Sequence, residues 1–213
     1  CFCVSSRARR CCPLFPYTAL FRSMGDFTGH GLHAAVGALP VCQTFFAMVR
    51  KGLGLQMIVS EINKNLQMLF PPNMFMCASI VQFDKSAENL KFWIGGMPVT
   101  ILHNTKTGEI KNLPSQHMPL GILKEDEFDS SIEEVKLSGI ERLYMCSDGI
   151  VEAKNNNDHE YGIDRLTGKL AENHDDVFEV IVNDVDAYAG SRIQEDDMTL
   201  VEIKCGKLYS LTG

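Results

Sequence analysis

The chain of 213 residues lacks any run of about 18 uncharged apolar residues, which excludes a membrane-spanning helix. It lacks an excess of positive charge. Against 20 Lys+Arg stand 27 Asp+Glu, a formal charge of −7 with a pI near 5.4, and such a field repels nucleic acid. Beyond the first residues it lacks paired cysteines: Cys42, Cys77, Cys146 and Cys205 are far apart and form no C-x-x-C, so a zinc site built from them is excluded. Their apolar neighbourhoods predict free, buried thiols in a reducing compartment. His103, His117, His159 and His174 share no ligand spacing. No Asp-x-Asp-x-Asp loop is present, so an EF-hand Ca²⁺ domain fails, and no internal repeat is visible. What is present, 45% hydrophobic and 22% charged residues, fits one compact domain and neither a disordered tail nor a small disulfide-stapled module. A cytoplasmic protein is expected.

Residues 1–23 differ from the rest. They read CFCVSSRARRCCPLFPYTALFRS, with Cys1, Cys3, Cys11, Cys12 and four arginines but no Asp or Glu. Residues 24–213 then carry 16 Lys+Arg against 27 Asp+Glu. The stretch PLFPYTALFRS resembles the conceptual translation of a sequencing adaptor. It has neither the apolar segment nor the cleavage site of a signal peptide. Residues 1–23 are therefore expected to be a non-native, adaptor-derived leader, with 24–213 a partial domain.

Along the body, residues 31–50 read as a helix with Leu32, Val36, Leu39, Phe46 and Val49 on one face, kinked or split at Pro40. Residues 55–69 read as a cleaner helix. Leu55, Ile58, Ile62, Leu66 and Leu69 face inward, with Glu61, Asn63 and Lys64 outside. Residues 74–84 and 89–96 flank the turn KSAE and predict a hairpin, its first strand buried on both faces. A second hairpin is expected over 99–104 and 109–114. Residues 115–139 are mixed, with a solvated acidic loop at Glu125-Asp126-Glu127. Residues 142–148 read as a buried strand ending at a carboxylate. Helices are expected over about 162–172 and 176–189, the second capped by Asp175 or Asp176, and a last strand over 198–204. Trp93 and the Phe/Met-rich strands read as core. The order predicts an α+β fold with helices packed on antiparallel sheet.

Three acidic sites stand out by context. Asp26 precedes the first helix, Asp148 follows a buried strand, and Asp196-Asp197 precede the last strand. Each sits where a rigid element meets a polar turn, a place from which side chains project into clefts. Carboxylates gathered in one cleft raise each other's pKa, and a divalent cation removes that penalty. All-oxygen ligands select hard ions such as Mg²⁺ or Mn²⁺, and two such ions activate a water for in-line attack on phosphorus. An Asp-Gly at a strand end also serves simply as a turn, and an Asp before a strand as a cap. Composition and periodicity do not decide whether the three converge.

DFTGHGLHAAVGALP, MCSDGIVEA with the following EYG, and EDDMTLVEI together resemble the ordered motifs of the metal-dependent protein phosphatases. The resemblance is to the bacterial SpoIIE/RsbU-type branch of the protein phosphatase 2C superfamily. GGMPVTIL and MPLGIL are similar to that branch's central strands and loop, so the likeness spans residues 24–204. It implies an antiparallel β-sandwich flanked by α-helices, incomplete at the N-terminus. It also implies a two-metal site for Mn²⁺ or Mg²⁺ and hydrolysis of phosphoserine or phosphothreonine on proteins. The implied substrate is a STAS-domain anti-anti-sigma factor, and the implied parent carries an upstream receiver or sensor domain. Carried over by position, Asp26 would bridge the metals, the Phe27 carbonyl would be a further ligand, and Asp148 and Asp196 would hold the second ion. Asp197, Gly29, His30 and Gly31 would support them, His30 by orienting its loop or as a general acid. His33 stands where the family more often has Pro. The family carries a further metal-binding Asp upstream, whereas Asp26 is the first acidic residue here. Impaired activity is therefore expected, and a non-catalytic, phosphatase-like partner-binding module is the alternative.

Overall fold

The computed structural model describes residues 2–3, 20–28, 32–71, 73–84, 86, 88–138, 141–172, 176–192, 194 and 196–205. Among them the strands form two sheets. The first has the order β1 (Phe2–Cys3), β2 (Leu20–Phe27), β3 (Met76–Phe83), β4 (Asn89–Gly95) and β7 (Glu133–Lys136). The second runs β6 (Ile110–Leu113), β5 (Thr100–Asn104), β8 (Glu141–Cys146) and β9 (Leu200–Lys204). The pairings are antiparallel except β1 with β2. Strand β2 begins at Leu20, on the leader side of residue 24, and pairs in register from Leu20↔Phe83 to Phe27↔Met76.

Side chains alternate across each strand, and that alternation sorts the core into layers. Met24, Val81, Phe83, Ile94, Leu143 and Met145 point between the two sheets. Phe21, Met76, Ala78, Ile80 and Trp93 point the other way, onto the helices α1 (Leu32–Arg50) and α2 (Leu55–Leu69). Ile101, Tyr144 and Cys146 leave the outer face of the second sheet. They pack under α4 (Ile163–Ala171) and α5 (Val177–Ala189). The result is a β-sandwich with a helical layer on each side, the α+β architecture that the order of elements predicts. Trp93 is fully buried and Glu125, Asp126 and Glu127 are exposed, as expected. No described helix is long and apolar enough to cross a membrane.

Several local expectations need correction. Pro40 lies inside one continuous α1 and does not split it. Among the described side chains of α1, Phe46 and Val49 pack against the core as expected, but the buried ones are Ala38, Val41 and Phe45, and Leu39 is 62% exposed. A helix that is apolar nearly all round offers no unique face to a periodicity argument. In α2 the terminal Leu69 is exposed and Asn63 is buried. The Asn63 carboxamide donates to the Leu123 carbonyl (3.0 Å) and accepts from the Gly121 N–H (2.8 Å). It thereby satisfies the backbone of the loop that crosses the sheet. Strand β7 falls in the stretch read as mixed, because its sequence EEVK is an edge strand of half-exposed charged residues. Cys42 and Cys77 are only half-buried, while Cys146 and Cys205 are buried. Asp176 caps α5 by accepting from the Glu179 N–H.

Candidate active site

Strand alternation sets Asp26. Met24 lies in the core between the sheets, so Asp26, two residues on, shares that face and sits at its rim, opposite Cys77. Phe27 turns the other way and packs against the helical layer. A methyl group on Gly37 of α1 would stand 2.9 Å from the Phe27 ring, so the helix can approach this closely only without a Cβ. Beyond Phe27, Thr28 N–H donates to the Phe75 carbonyl (3.0 Å), and Thr28 Oγ1 accepts from the Phe75 N–H (3.1 Å). The chain leaving the sheet is thus held on both sides of the Asp26-Phe27 pair. Asp26 is exposed as a residue at this edge, while its surroundings still withdraw part of the water from its carboxyl.

The second sheet brings the other acids. Asp148 is the first residue of the short helix α3 (Asp148–Val151), directly after β8. Its carboxylate accepts from the Gly149 N–H (2.9 Å). Ser147 Oγ donates to the Asp197 carbonyl (2.9 Å) and accepts from the Thr199 N–H (2.9 Å). The start of β9 is thereby tied to the end of β8. Gly149 makes the approach possible: a Cβ there would lie 2.5 Å from the Asp197 carbonyl oxygen and 3.2 Å from that of Asp196. The Asp196 carboxylate accepts from the Asp197 N–H (2.7 Å), and both residues are exposed.

The electrostatics join the two halves. The Asp26 carboxyl is pushed above the usual carboxylate range by burial, then by the charges of Asp148 and Asp196, and more weakly by Asp197. Cys77 is pushed up to about 11 by burial and by the same charges of Asp26 and Asp148. Glu152, one turn beyond Asp148, is raised by burial, by Asp148 and by Asp196 among others. Acids 122 and 48 positions apart in sequence thus share one electrostatic field at the rim between the sheets. Gly29, His30 and Gly31 lie outside the described residues.

Glu152 is the acid that the sequence reading passed over. Its position four residues after Asp148 places it on the same side of a helical turn. Beside the acids opens a cavity of about 310 Å³ lined by Gly149, Glu152, Lys154, Asp186, Arg192 and Asp196 among others.

Among the described residues no three His, Cys, Asp or Glu side chains stand close enough to form a ready metal cage. The donors that share the field are nonetheless carboxylates, the set that suits a hard cation which keeps several waters. The mutual repulsion at Asp26 is what such a cation relieves. In the chemistry of their donors, Asp26, Asp148 and Asp196 therefore suit a hard divalent cation.

Comparison with curated protein sequences finds no match. Comparison with solved structures finds the same architecture. The SiaA-PP2C domain of Pseudomonas aeruginosa superposes with a TM-score of 0.74 at 18% identity, covering 87% of this chain and 79% of that one. The PP2C phosphatase domain of SpoIIE from Bacillus subtilis, solved with a fragment of its regulatory domain, gives 0.73 at 18% identity. The match covers 87% of this chain and 54% of that one, so this chain spans about half of it. RsbX in complex with magnesium gives 0.65 at 14% identity, covering 93% and 90%. The family described as Stage II sporulation protein E (SpoIIE) matches residues 17–206, and the chain belongs to that family, on a PP2C-type phosphatase fold.

Proposed function

We propose that this chain hydrolyses phosphoserine or phosphothreonine on a signalling protein of the STAS, anti-anti-sigma type, using two Mn²⁺ or Mg²⁺ ions. The observation that carries the reading is the shared field of Asp26, Asp148 and Asp196 on a fold of the SpoIIE family. The magnesium bound by RsbX supports the choice of ion. Asp26, with the Phe27 carbonyl, would hold the ions from the first sheet, and Asp148 and Asp196 from the second. Bound there, the ions supply Lewis acidity and an activated water at neutral pH.

The chain's own residues do the rest. Ser147 and Gly149 fix the spacing of Asp148 and Asp196 through backbone contacts, so the acids stay in place when empty, at the cost of their repulsion. Asp197, Gly29, His30 and Gly31 would support the ligands, as the resemblance implies. Regulation from an upstream receiver or sensor domain and a cytoplasmic setting belong to the same reading.

The lack of a closed cage among the described residues favours one second reading, a phosphatase-like module that binds its partner without catalysis. Hydrolysis of p-nitrophenyl phosphate decides between them. Turnover that needs Mn²⁺, is removed by a chelator and disappears in Asp148→Asn supports the enzyme. No turnover at millimolar Mn²⁺, or turnover indifferent to Asp148→Asn, supports the binding module.

A further inference from the structure

The cavity beside the acids holds cations that the family motifs do not account for. Of its lining residues, Glu152, Asp186 and Asp196 are acidic, and Lys154 and Arg192 are basic. Arg192 is already committed: its guanidinium donates to the Asn155 carbonyl (3.0 Å) and pairs with Asp158. The half-buried Lys154 side chain makes no hydrogen bond or close ion pair among the described residues, and its charge is felt only at a distance, by Glu152 and Asp158. A phosphate dianion entering this cavity would therefore meet acids and one positive charge, Lys154, that no hydrogen bond among the described residues holds in place.

The backbone that carries Lys154 is fixed without help from its side chain. Lys154 and Glu160 form an antiparallel bridge. Asn155 N–H donates to the His159 carbonyl (3.0 Å), and Tyr161 N–H donates to the Ala153 carbonyl (2.8 Å). The Asn155 carboxamide oxygen accepts from the N–H groups of Asn157 (2.9 Å) and His159 (3.1 Å). Tyr188 Oη donates to the Glu160 carbonyl (2.9 Å), tying the loop to α5. A cation on a pre-set loop, lining the cavity with no hydrogen bond of its own among the described residues, is able to donate to an anionic group that enters.

We infer that Lys154 is a substrate-binding residue that donates from Nζ to a non-bridging oxygen of the phosphoryl group. This rests on the phosphatase reading of the same site and adds a contact that its acids do not provide.

The test uses the Mn²⁺-loaded chain, Lys154→Ala and Lys154→Arg. Inorganic phosphate binding is measured by calorimetric titration, and KM and kcat with p-nitrophenyl phosphate and a phosphoserine peptide. Lys154→Ala is expected to weaken phosphate binding roughly ten- to a hundredfold, the worth of a hydrogen bond between charged groups. It should raise KM for both substrates by a similar factor, and Lys154→Arg should restore most of the loss. Unchanged phosphate affinity in Lys154→Ala overturns the inference. So does a KM rise confined to the peptide, and so does failure of the unaltered chain to bind phosphate. If the unaltered chain binds phosphate through Lys154 yet hydrolyses neither substrate, the anion contact stands and the phosphatase reading falls.

Discussion

Two acidic clusters in this chain obey opposite rules. At the rim between the sheets, Asp26 is pushed upward by burial and by like charges. Under α4 and α5, Asp184 is pushed downward, first by its hydrogen bonds from Arg165 and, against some burial, by Tyr161. Arg165 grips Asp184 through Nε (2.9 Å) and Nη2 (3.1 Å), and Tyr161 Oη donates at 2.7 Å. The guanidinium also stacks over the rings of Tyr161 (5.3 Å) and Tyr188 (4.7 Å). Asp184 is a finished structural device. The rim is unfinished, since the charges that act on Asp26 are those of other acids, Asp148, Asp196 and Asp197. A carboxylate held by donors stabilises the fold, and a carboxylate held against its neighbours is a place where something else is meant to bind.

The sharpest break of that contrast is at Asp148. Asp148→Asn should abolish Mn²⁺-dependent phosphoester hydrolysis, a loss of a hundredfold or more on the scale expected when a charged partner of the reacting centre is removed. It should leave the far-UV circular dichroism unchanged. Next is Gly149→Ala. Its methyl group would stand 2.5 Å from the Asp197 carbonyl oxygen, and backbone cannot rotate aside as a flexible side chain can. The β9 entry must shift, at about 1–3 kcal/mol, and Asp196 shifts with it. Denaturant melting should show that loss, and Mn²⁺ should no longer raise the melting temperature as it does for a site that binds the folded state.

On the finished side, Asp184→Asn should destabilise the chain by about 1 kcal/mol. The bidentate pair is discounted because Arg165 is 42% exposed. The sign with pH follows from the lowered Asp184 carboxyl. Its contribution is present above the unfolded carboxylate range and is lost as pH falls through the lower folded value. The difference between Asp184→Asn and the unaltered chain should therefore be full at pH 7 and vanish in acid. Hydrolysis should be unaffected at neutral pH, because Asp184 faces away from the rim. A large loss of activity in this variant would blur the distinction between the two clusters.

How much of this was legible in the sequence follows the same division. The hairpin over β3 and β4, the helix α2 and the buried strand β8 could be read because each has one apolar face, or two, at a clear period. The face of α1 could be read only in part: Phe46 and Val49 pack against the core, but apolar residues surround the helix and only the sheet beneath selects Val41 and Phe45 over Leu39. Asn63 misled for a different reason. A buried carboxamide that satisfies the backbone at Gly121 and Leu123 carries no local mark of burial. At the site, Asp26, Asp148 and Asp196 were visible as carboxylates at the ends of elements, and through the ordered motifs. That they share one field depends on sheet register and on the close packing at Gly149, neither of which periodicity encodes. Glu152 was overlooked for the same reason.

The smallest effect is the most diagnostic of the unfinished rim. Asp26 is raised, so the folded chain binds its proton more tightly than the unfolded chain does. Asp26 then opposes folding at neutral pH, and the penalty fades as pH falls through its raised folded value. Asp26→Asn removes the charge while keeping the shape. In the absence of divalent cations it should stabilise the chain at pH 7 by a few tenths of a kcal/mol, a figure held small because the residue is open to solvent. With millimolar Mn²⁺ the order should reverse, since the unaltered chain gains binding energy that the variant cannot. Thermal melts with and without Mn²⁺ would read both signs. A variant less stable than the parent under both conditions would make Asp26 a structural carboxylate like Asp184, and the contrast between the two clusters would be gone.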